Sequence, residues 1–231
     1  MVQFPSTRWS RILAPDGDRD LDALARTYER PIRAYLAARL GLGTDAAAEA
    51  TQDAFAWLLA SGLLDKAEPS RGRFRGLLKK ALANFSLEQL RRAAAQKRGG
   101  GVRHVAIDGV AEPIDARGRT PDQVLDDAWR AELLLQAQQR LQHELVHSGR
   151  EVHWALFRDW FLVGGDQPDQ ATLASRHGIT RTDVSNWLDH AKRRYRALLR
   201  DLVADTVRDA EALQEELRWL FGPDEGRRGN A

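Results

Sequence analysis

The chain contains no cysteine, and this one absence excludes several kinds of chemistry. Without thiols there are no disulfide bonds, no thiolate nucleophile and no cysteine-ligated zinc site. Long apolar runs are missing as well, and the first residues, MVQFPSTRWSRILAP, contain neither the apolar stretch nor the cleavage site of a secretion signal. We therefore expect a cytoplasmic protein with no membrane segment.

Alternating runs of β-branched residues, which are typical of half-buried strands, are also absent. Apolar residues recur at helical spacing, so the predicted fold is all-α. The 231 residues suit two small helical domains, residues 1–98 and 122–205. Residues 99–121 contain GGG and no helical period, which predicts a flexible linker. Residues 206–231 are expected to form a C-terminal helical extension with a disordered end.

Three helices are predicted in the first domain, over about residues 20–39, from an N-cap at Thr44, and over about residues 74–96. Each carries one apolar stripe that is expected to face the core. The inward positions are Leu21, Leu24, Ala25, Tyr28, Ile32, Tyr35 and Leu36 in the first helix, Ala47, Thr51, Ala54, Phe55, Leu58 and Leu59 in the second, and Phe74, Leu77, Leu78, Ala81, Phe85 and Leu90 in the third.

The second domain is predicted to open on a well-capped helix. Thr120, Pro121 and Gln123 fit its N-cap, first and third positions. Its inward residues are expected to be Val124, Ala128, Leu134, Leu141 and Leu145. A further helix is predicted from about Glu151 to Leu162. Beyond Asp201 the last helix is expected to continue to Phe221, with apolar positions at Leu202, Val203, Val207, Leu213, Leu217 and Leu220.

The net charge of +2 hides two strongly basic segments in an acidic background. Residues 71–103 carry ten basic residues and one acidic residue, and residues 171–200 carry seven basic and two acidic. Each segment is a candidate phosphate-binding surface. In the first, the basic side chains share a helix with an apolar face, an arrangement that suits partly opened DNA.

Residues 170–196, QATLASRHGITRTDVSNWLDHAKRRYR, fit a helix-turn-helix. Ala174 is the small residue where two helices cross, and Gly178 supplies the turn with φ > 0. Thr180 is a good N-cap, and Asp183 can return a hydrogen bond in a capping box. The second helix therefore begins at Arg181, and the positions that face the first helix are Ile179, Val184 and Trp187.

The outward face of this second helix suits DNA. Polar side chains that can read bases are followed by basic side chains that can bind phosphates, at Arg181, Thr182, Ser185, Asn186, His190, Lys192, Arg193 and Arg194. The alternative is an ordinary pair of helices with a solvated charged face.

Taken together, two DNA-binding surfaces separated by a linker resemble a bacterial sigma factor. The chain resembles an extracytoplasmic-function (ECF) sigma factor of the sigma-70 family, with region two in about residues 21–98 and region four in about residues 133–199. It is most similar to a subgroup that begins with an FP-x-TRW segment, here residues 4–9, and closes region two with QKRGGG, here residues 96–101.

The resemblance implies a transcription initiation factor that binds core RNA polymerase, recognises −35 and −10 promoter elements and promotes melting. The polymerase supplies the chemistry, so we expect neither an enzyme nor a cofactor. The expected polymerase partners are the β′ clamp helices and the β flap. The stretch AAAEATQDAF matches the clamp-binding motif at Glu49, Gln52, Asp53 and Phe55. Ala46 and Ala48 stand where acidic residues are usual, which predicts a weaker or shifted contact.

The resemblance also assigns the DNA surfaces. The −10 element maps onto Arg73, Arg75, Lys79, Lys80, Asn84, Arg91 and Arg92, and the loop that captures a flipped base falls near residues 65–70. The −35 element maps onto the outward face of the second helix in the helix-turn-helix. There Ser185, Trp187 and His190 replace residues that are often basic, which predicts fewer phosphate contacts.

Two other readings stay open at this point. One is a freestanding helix-turn-helix regulator that binds an operator without polymerase, and the other is an adaptor whose basic helices bind RNA or a protein. As a regulatory partner the resemblance implies an anti-sigma factor, while a kinase or the C-terminal extension is equally compatible. We expect the extension to pack on region four.

No metal site is expected. His143 and His147 are four residues apart on a helix but lack a third ligand.

Overall fold

The structure is a computed structural model that describes residues 21–62, 74–97, 115, 117–164, 168–207 and 209–222. These residues form eight helices and no strand, which confirms the all-α prediction. The helices are α1 (Leu21–Leu40), α2 (Thr44–Ala60), α3 (Phe74–Lys97), α4 (Pro121–His147), α5 (Glu151–Phe161), α6 (Gln170–His177), α7 (Arg181–Ala204) and α8 (Ala210–Phe221). None of these helices combines the length and the apolar character needed to cross a membrane.

Local sequence signals place several helix starts as predicted. At α4 the Gln123 N–H donates to Thr120 Oγ1 at 3.3 Å, and Thr120 N–H donates to Gln123 Oε1 at 2.8 Å, which completes a capping box. At α2 the prediction was off by one position. Gly43 is the N-cap without a side-chain hydrogen bond, and Thr44 is the first helical residue.

The chain folds into two units. The first contains the described residues up to Glu132 together with those from Ala204 onward, and the second is Leu133–Val203. This division differs from the predicted domains, because the first twelve residues of α4 and the whole C-terminal helix belong to the first unit. The reason lies in the contacts that these two segments make with α3, described below.

In the first unit α1, α2 and α3 pack together. Most of the buried apolar side chains come from the predicted stripes. Of the predicted inward residues, Ala25, Phe55 and Leu77 are only half-buried, and Leu59 and Leu90 are exposed. Leu82, which was not predicted to face inward, is fully buried. Among the deepest residues are Ile32, Leu36, Ala54, Leu78, Ala81 and Leu82.

The inward face of α4 was predicted one residue out of register. Leu125, Trp129, Leu133 and Ala137 are buried, whereas Val124, Ala128 and Leu134 are half-buried. The predicted Leu141 and Leu145 are buried as expected. Leucine and alanine occupy both candidate stripes in this segment, so the apolar pattern alone did not distinguish them.

The C-terminal extension also departs from expectation. Helix α7 ends at Ala204, and α8 starts anew after Asp209, whose side chain accepts a hydrogen bond from Ala212 N–H at 2.8 Å. The prediction of one continuous helix to Phe221 that packs on the helix-turn-helix domain was wrong. Helix α8 belongs to the first unit, where it contacts α3 and α4.

The second unit contains the predicted helix-turn-helix. Its core combines Leu156 of α5 with residues of α6 and α7, namely Leu173, Ala174, Val184 and Leu188. Ile179 and Trp187 pack against this cluster, as predicted for positions that face the first helix. The trihelical arrangement therefore buries the apolar side of α7 and leaves its outer side available.

A buried carboxylate fixes α6 to α5. Asp159 of α5 accepts hydrogen bonds from Arg158 at 2.8 Å and from Arg176 of α6 at 3.0 Å. Burial opposes ionisation of Asp159, but the two arginines outweigh it, so the pKa of this carboxyl lies below its usual range.

The turn between α6 and α7 depends on Gly178, whose φ is +64°. A Cβ at this residue would meet no atom within 4 Å, so only the backbone opposes substitution. We expect Gly178→Ala to lower the free energy of unfolding by about 1 kcal/mol, the cost of left-handed backbone for alanine. Gly164→Ala, where φ is not positive and space is also open, is the control and should leave the urea midpoint unchanged. Equal midpoints for the two variants would contradict this.

Candidate nucleic-acid interface

The start of α7 is built to present polar side chains. Thr180 and Asp183 form the predicted capping box, with Asp183 N–H donating to Thr180 Oγ1 at 3.1 Å and Thr180 N–H donating to Asp183 Oδ2 at 3.1 Å. The hydrogen bonds from Thr180 hold the pKa of the Asp183 carboxyl below its usual range. Arg181, Thr182 and Asn186 are exposed on the first two turns. This is the end of a recognition helix that contacts bases in proteins of this motif.

Other predicted residues of α7 differ in exposure. Arg193 is exposed, whereas Ser185 and Lys192 are half-buried. Arg194 is held by α4 in a bidentate ion pair, with Nε donating to Glu144 Oε2 at 2.6 Å and Nη2 donating to Oε1 at 2.7 Å. This pair lowers the pKa of Glu144 and raises the pKa of Arg194, in both cases chiefly through the hydrogen bond. Arg194 therefore holds α7 to α4.

His190 lies in a cluster of aromatic rings beside the guanidinium of Arg150. Its Nε2 lies 3.3 Å from Arg150 Nη1, and its ring stands edge-on to His153 with centroids 5.9 Å apart. His153 in turn stacks on Trp187 at 4.4 Å. Burial, helped by the charges of His190 and Arg150, lowers the pKa of His153. Trp187 is thus a packing residue, as the sequence predicted.

The predicted DNA-binding residues of α3 separate onto two faces. Lys80, Asn84 and Arg91 are exposed and lie on one side of the helix, and we call these three residues the exposed stripe. Arg75 and Lys79, one turn apart, lie on the other side, because five residues turn a helix by about 140° between Arg75 and Lys80. The sequence grouped all five as DNA contacts, and the structure brings only three of them together.

Arg75 is buried among acidic and aromatic side chains that we call the Arg75 cage. Its Nη1 donates to Asp126 Oδ1 of α4 and its Nη2 to Glu216 Oε1 of α8, both at 2.6 Å. Its guanidinium carbon lies 4.6 Å from the ring centroid of Trp129 and 4.1 Å from that of Trp219. Arg75 is 7% exposed and Glu216 1%. In this conformation Arg75 is closed to DNA.

Two neighbours extend the Arg75 cage. Lys79 Nζ donates to Asp126 Oδ2 at 2.8 Å and lies 3.7 Å from Asp122. The Tyr28 ring meets Phe74 edge-on at 5.0 Å. Burial raises the pKa of the Tyr28 hydroxyl well above its usual value, and the smaller contribution of Arg75, which lowers the pKa, is opposed by that of Glu216, which raises it. The phenol therefore stays protonated beside the ion pairs.

Arg92 is exposed beside the exposed stripe and is oriented by its own helix. It pairs with Glu88 four residues earlier, and the other oxygen of Glu88 accepts a hydrogen bond from Trp57 Nε1 of α2 at 3.1 Å. This link also ties α2 to α3.

The predicted polymerase contact lies on α2. Glu49, Gln52 and Asp53 are exposed along this helix, and Phe55 is half-buried. Thr51 faces the interior and donates from Oγ1 to Ala47 O at 2.6 Å. Three of the four matched residues are thus open to a partner.

Several sequence predictions fall outside the described residues. These are Arg73, the base-capturing loop at residues 65–70, the FP-x-TRW segment and residues 98–101.

The carboxylates of the Arg75 cage were not predicted as functional residues. Their only sequence signal was the acidic balance of residues 104–170 and 201–231, which carried no information about which basic residue each one would meet. Among the residues that the structure describes, no three metal-ligating side chains come together, and His143 and His147 stack on each other at 3.8 Å.

A comparison with protein-family models matches residues 22–158 to the model described as ECF sigma factor. The match covers more than half of the chain, ends within α5 and confirms the resemblance to this family. Neither the curated proteins nor the solved structures gave a match.

The buried ion pairs predict how Arg75 contributes to stability. Arg75→Ala leaves Glu216 and Asp126 without their shared cation, and breaking a buried pair typically costs about 3–5 kcal/mol. We expect a loss of that size in the free energy of unfolding, measured by urea denaturation. Lys80→Ala removes an exposed cation from the same helix and should change it by less than about 0.5 kcal/mol. A similar small change for Arg75→Ala would show that the ion pairs contribute little.

The lowered pKa of His153 predicts a pH dependence of stability. The unfolded chain binds more protons than the folded one as the pH falls below the ordinary value of 6.5, so stability decreases in that range. His153→Phe preserves stacking on Trp187 and should flatten the dependence of the thermal midpoint between pH 7.5 and 5.5. His143→Phe, at an exposed position, should not. An unchanged slope in His153→Phe would refute this assignment.

Proposed function

The chain belongs to the ECF sigma factor family, and on that premise we propose that it binds core RNA polymerase, recognises −35 and −10 promoter elements and stabilises the melted strand. Membership of the family gives the role in transcription initiation. The finer assignments rest on one observation above all, which is the capped start of α7 with Arg181, Thr182 and Asn186 exposed.

In this proposal the second unit acts as region four, with α7 as the recognition helix. Asparagine can pair bidentately with adenine and arginine with guanine in the major groove. Arg193 supplies a phosphate contact that positions the helix. Arg194 drops out of the set of DNA contacts, because its Nε and Nη2 are held by the two carboxylate oxygens of Glu144.

The first unit acts as region two. The exposed stripe of α3, with Arg92 beside it, offers cations and one amide to the melted −10 strand, which suits backbone binding of single-stranded DNA. Glu49, Gln52 and Asp53 on α2 contact the β′ clamp helices. The β flap is the expected second polymerase contact.

The test is run-off transcription with purified bacterial core polymerase on fragments of the source genome. We expect discrete transcripts that share upstream motifs and that disappear when the protein is left out. Operator binding by the protein alone, with no new transcript, would refute the sigma assignment and favour a freestanding regulator.

Two variants separate the DNA surfaces in that assay. Asn186→Ala should reduce transcription about tenfold or more and relax the −35 sequence preference, because a bidentate base contact is worth about 1–3 kcal/mol. Lys80→Ala/Arg91→Ala should impair open-complex formation, measured by permanganate reactivity of melted thymines, with the −35 preference retained. The matched control is Arg33→Ala, an α1 residue paired with Glu29. Loss of activity in the control equal to that in the others would contradict these roles.

A further inference from the structure

We propose that α8 is a releasable clasp on α3, which withholds Arg75 from DNA until nucleic acid competes for it. The inference rests on the proposed function, since it adds regulation to the same −10 surface. It concerns only the first unit, in which α3, the start of α4 and α8 meet.

In the folded unit, carboxylates bind the cations that DNA phosphates would otherwise bind. Arg75 donates to one oxygen each of Asp126 and Glu216, and Lys79 donates to the second oxygen of Asp126. Guanidinium and ammonium groups bind phosphate oxygens in the same way as they bind carboxylates. The two cations on this side of α3 are therefore satisfied by acidic side chains, while the exposed stripe on the other side is open.

Glu216 comes from far along the chain. It lies 141 residues from Arg75 in sequence, whereas Asp126 lies 51 residues away. Helix α8 lays Trp219 over the guanidinium of Arg75, and Trp219 remains 37% exposed. The guanidinium is thus enclosed on one side by α4 and on the other by α8, so displacement of α8 alone opens it.

Three features make α8 suited to release. It has only 12 residues, a length at which a helix depends on packing for its stability. A break after Ala204 separates it from α7, so it can leave without unwinding that helix. A buried ion pair gains little net stability because desolvation offsets attraction, and its best-attested role is in specificity or switching. A DNA phosphate can compensate Arg75 when Glu216 leaves.

The first experiment measures affinity for a fluorescein-labelled mixed-sequence single-stranded DNA of 30 nucleotides, at several salt concentrations. Glu216→Gln and a chain that ends at Val207 both weaken the clasp. We expect both to bind on the order of tenfold more tightly than the wild type, with a salt slope steeper by about 0.7, the value for one added phosphate contact on a single strand. Adding Arg75→Ala to the shortened chain should remove most of this gain.

The matched control is Glu211→Gln, an exposed residue of the same helix with the same change of charge. It should bind like the wild type, which separates clasp release from a general charge effect. Equal affinities and slopes for all variants overturn the proposal. So does a loss of helical circular dichroism in the shortened chain larger than the twelve residues of α8 account for, because a helix that the rest of the fold requires cannot be released.

The second experiment uses the absence of cysteine. Leu213→Cys places the only thiol beneath α8, where the native side chain is 2% exposed, and Ala191→Cys places one in the interior of the second unit. Saturating oligonucleotide should accelerate maleimide labelling of the first thiol at least fivefold and leave the second unchanged. Unaltered labelling of the first thiol, or equal acceleration of both, overturns the proposal.

Failure of this inference and failure of the proposed function give different results. Promoter-specific transcripts with unchanged oligonucleotide binding in Glu216→Gln leave the sigma role intact and remove the clasp. Tighter oligonucleotide binding in that variant, with no transcript from core polymerase, retains the clasp and removes the sigma role.

Discussion

Compensation of one buried cation organises the first unit. Arg75 has lost its water, so its guanidinium needs partners that supply negative charge and accept its hydrogen bonds. Asp126 and Glu216 supply both, and Trp129 and Trp219 cover the flat faces of the group. These partners come from α4 and α8. Removal of the cation would take from Asp126 and Glu216 the charge that both carboxylates share, which explains why segments so distant in sequence belong to one unit.

The same electrostatics divides the basic helix α3 into two sides with different roles. Exposed cations on one side can attract a polyanion. The cations on the other side are neutralised by carboxylates of the same unit. Helix α7 repeats the division, with Arg181 and Arg193 exposed and Arg194 bound to Glu144. A count of basic residues therefore overstates the DNA-binding surface of this protein, because it includes cations that are paired with acidic side chains.

Prediction from sequence worked where the signal was local. The capping boxes at Thr120 and Thr180, the left-handed turn at Gly178 and the start of α7 at Arg181 were all confirmed, because each depends on residues within one helical turn. The inward face of α4 was wrong by one residue, because leucine and alanine occupy both stripes and only the neighbouring helices choose between them. The exposed stripe and the polymerase-binding residues of α2 remain predictions of function, as does the base reading assigned to α7.

By itself the sequence determined the all-α class, the helix-turn-helix and the resemblance to the ECF sigma factor family, because helix periodicity, caps and turn residues act over short distances in the chain. Only the tertiary structure decided which cations are free. Whether Arg75 faces solvent depends on Asp126 and Glu216, which lie 51 and 141 residues away, and no local pattern specifies that meeting. Tertiary packing likewise separated α8 from α7 and joined it to the first unit, since burial of Leu213, Glu216 and Leu220 needs a surface that only the folded unit provides.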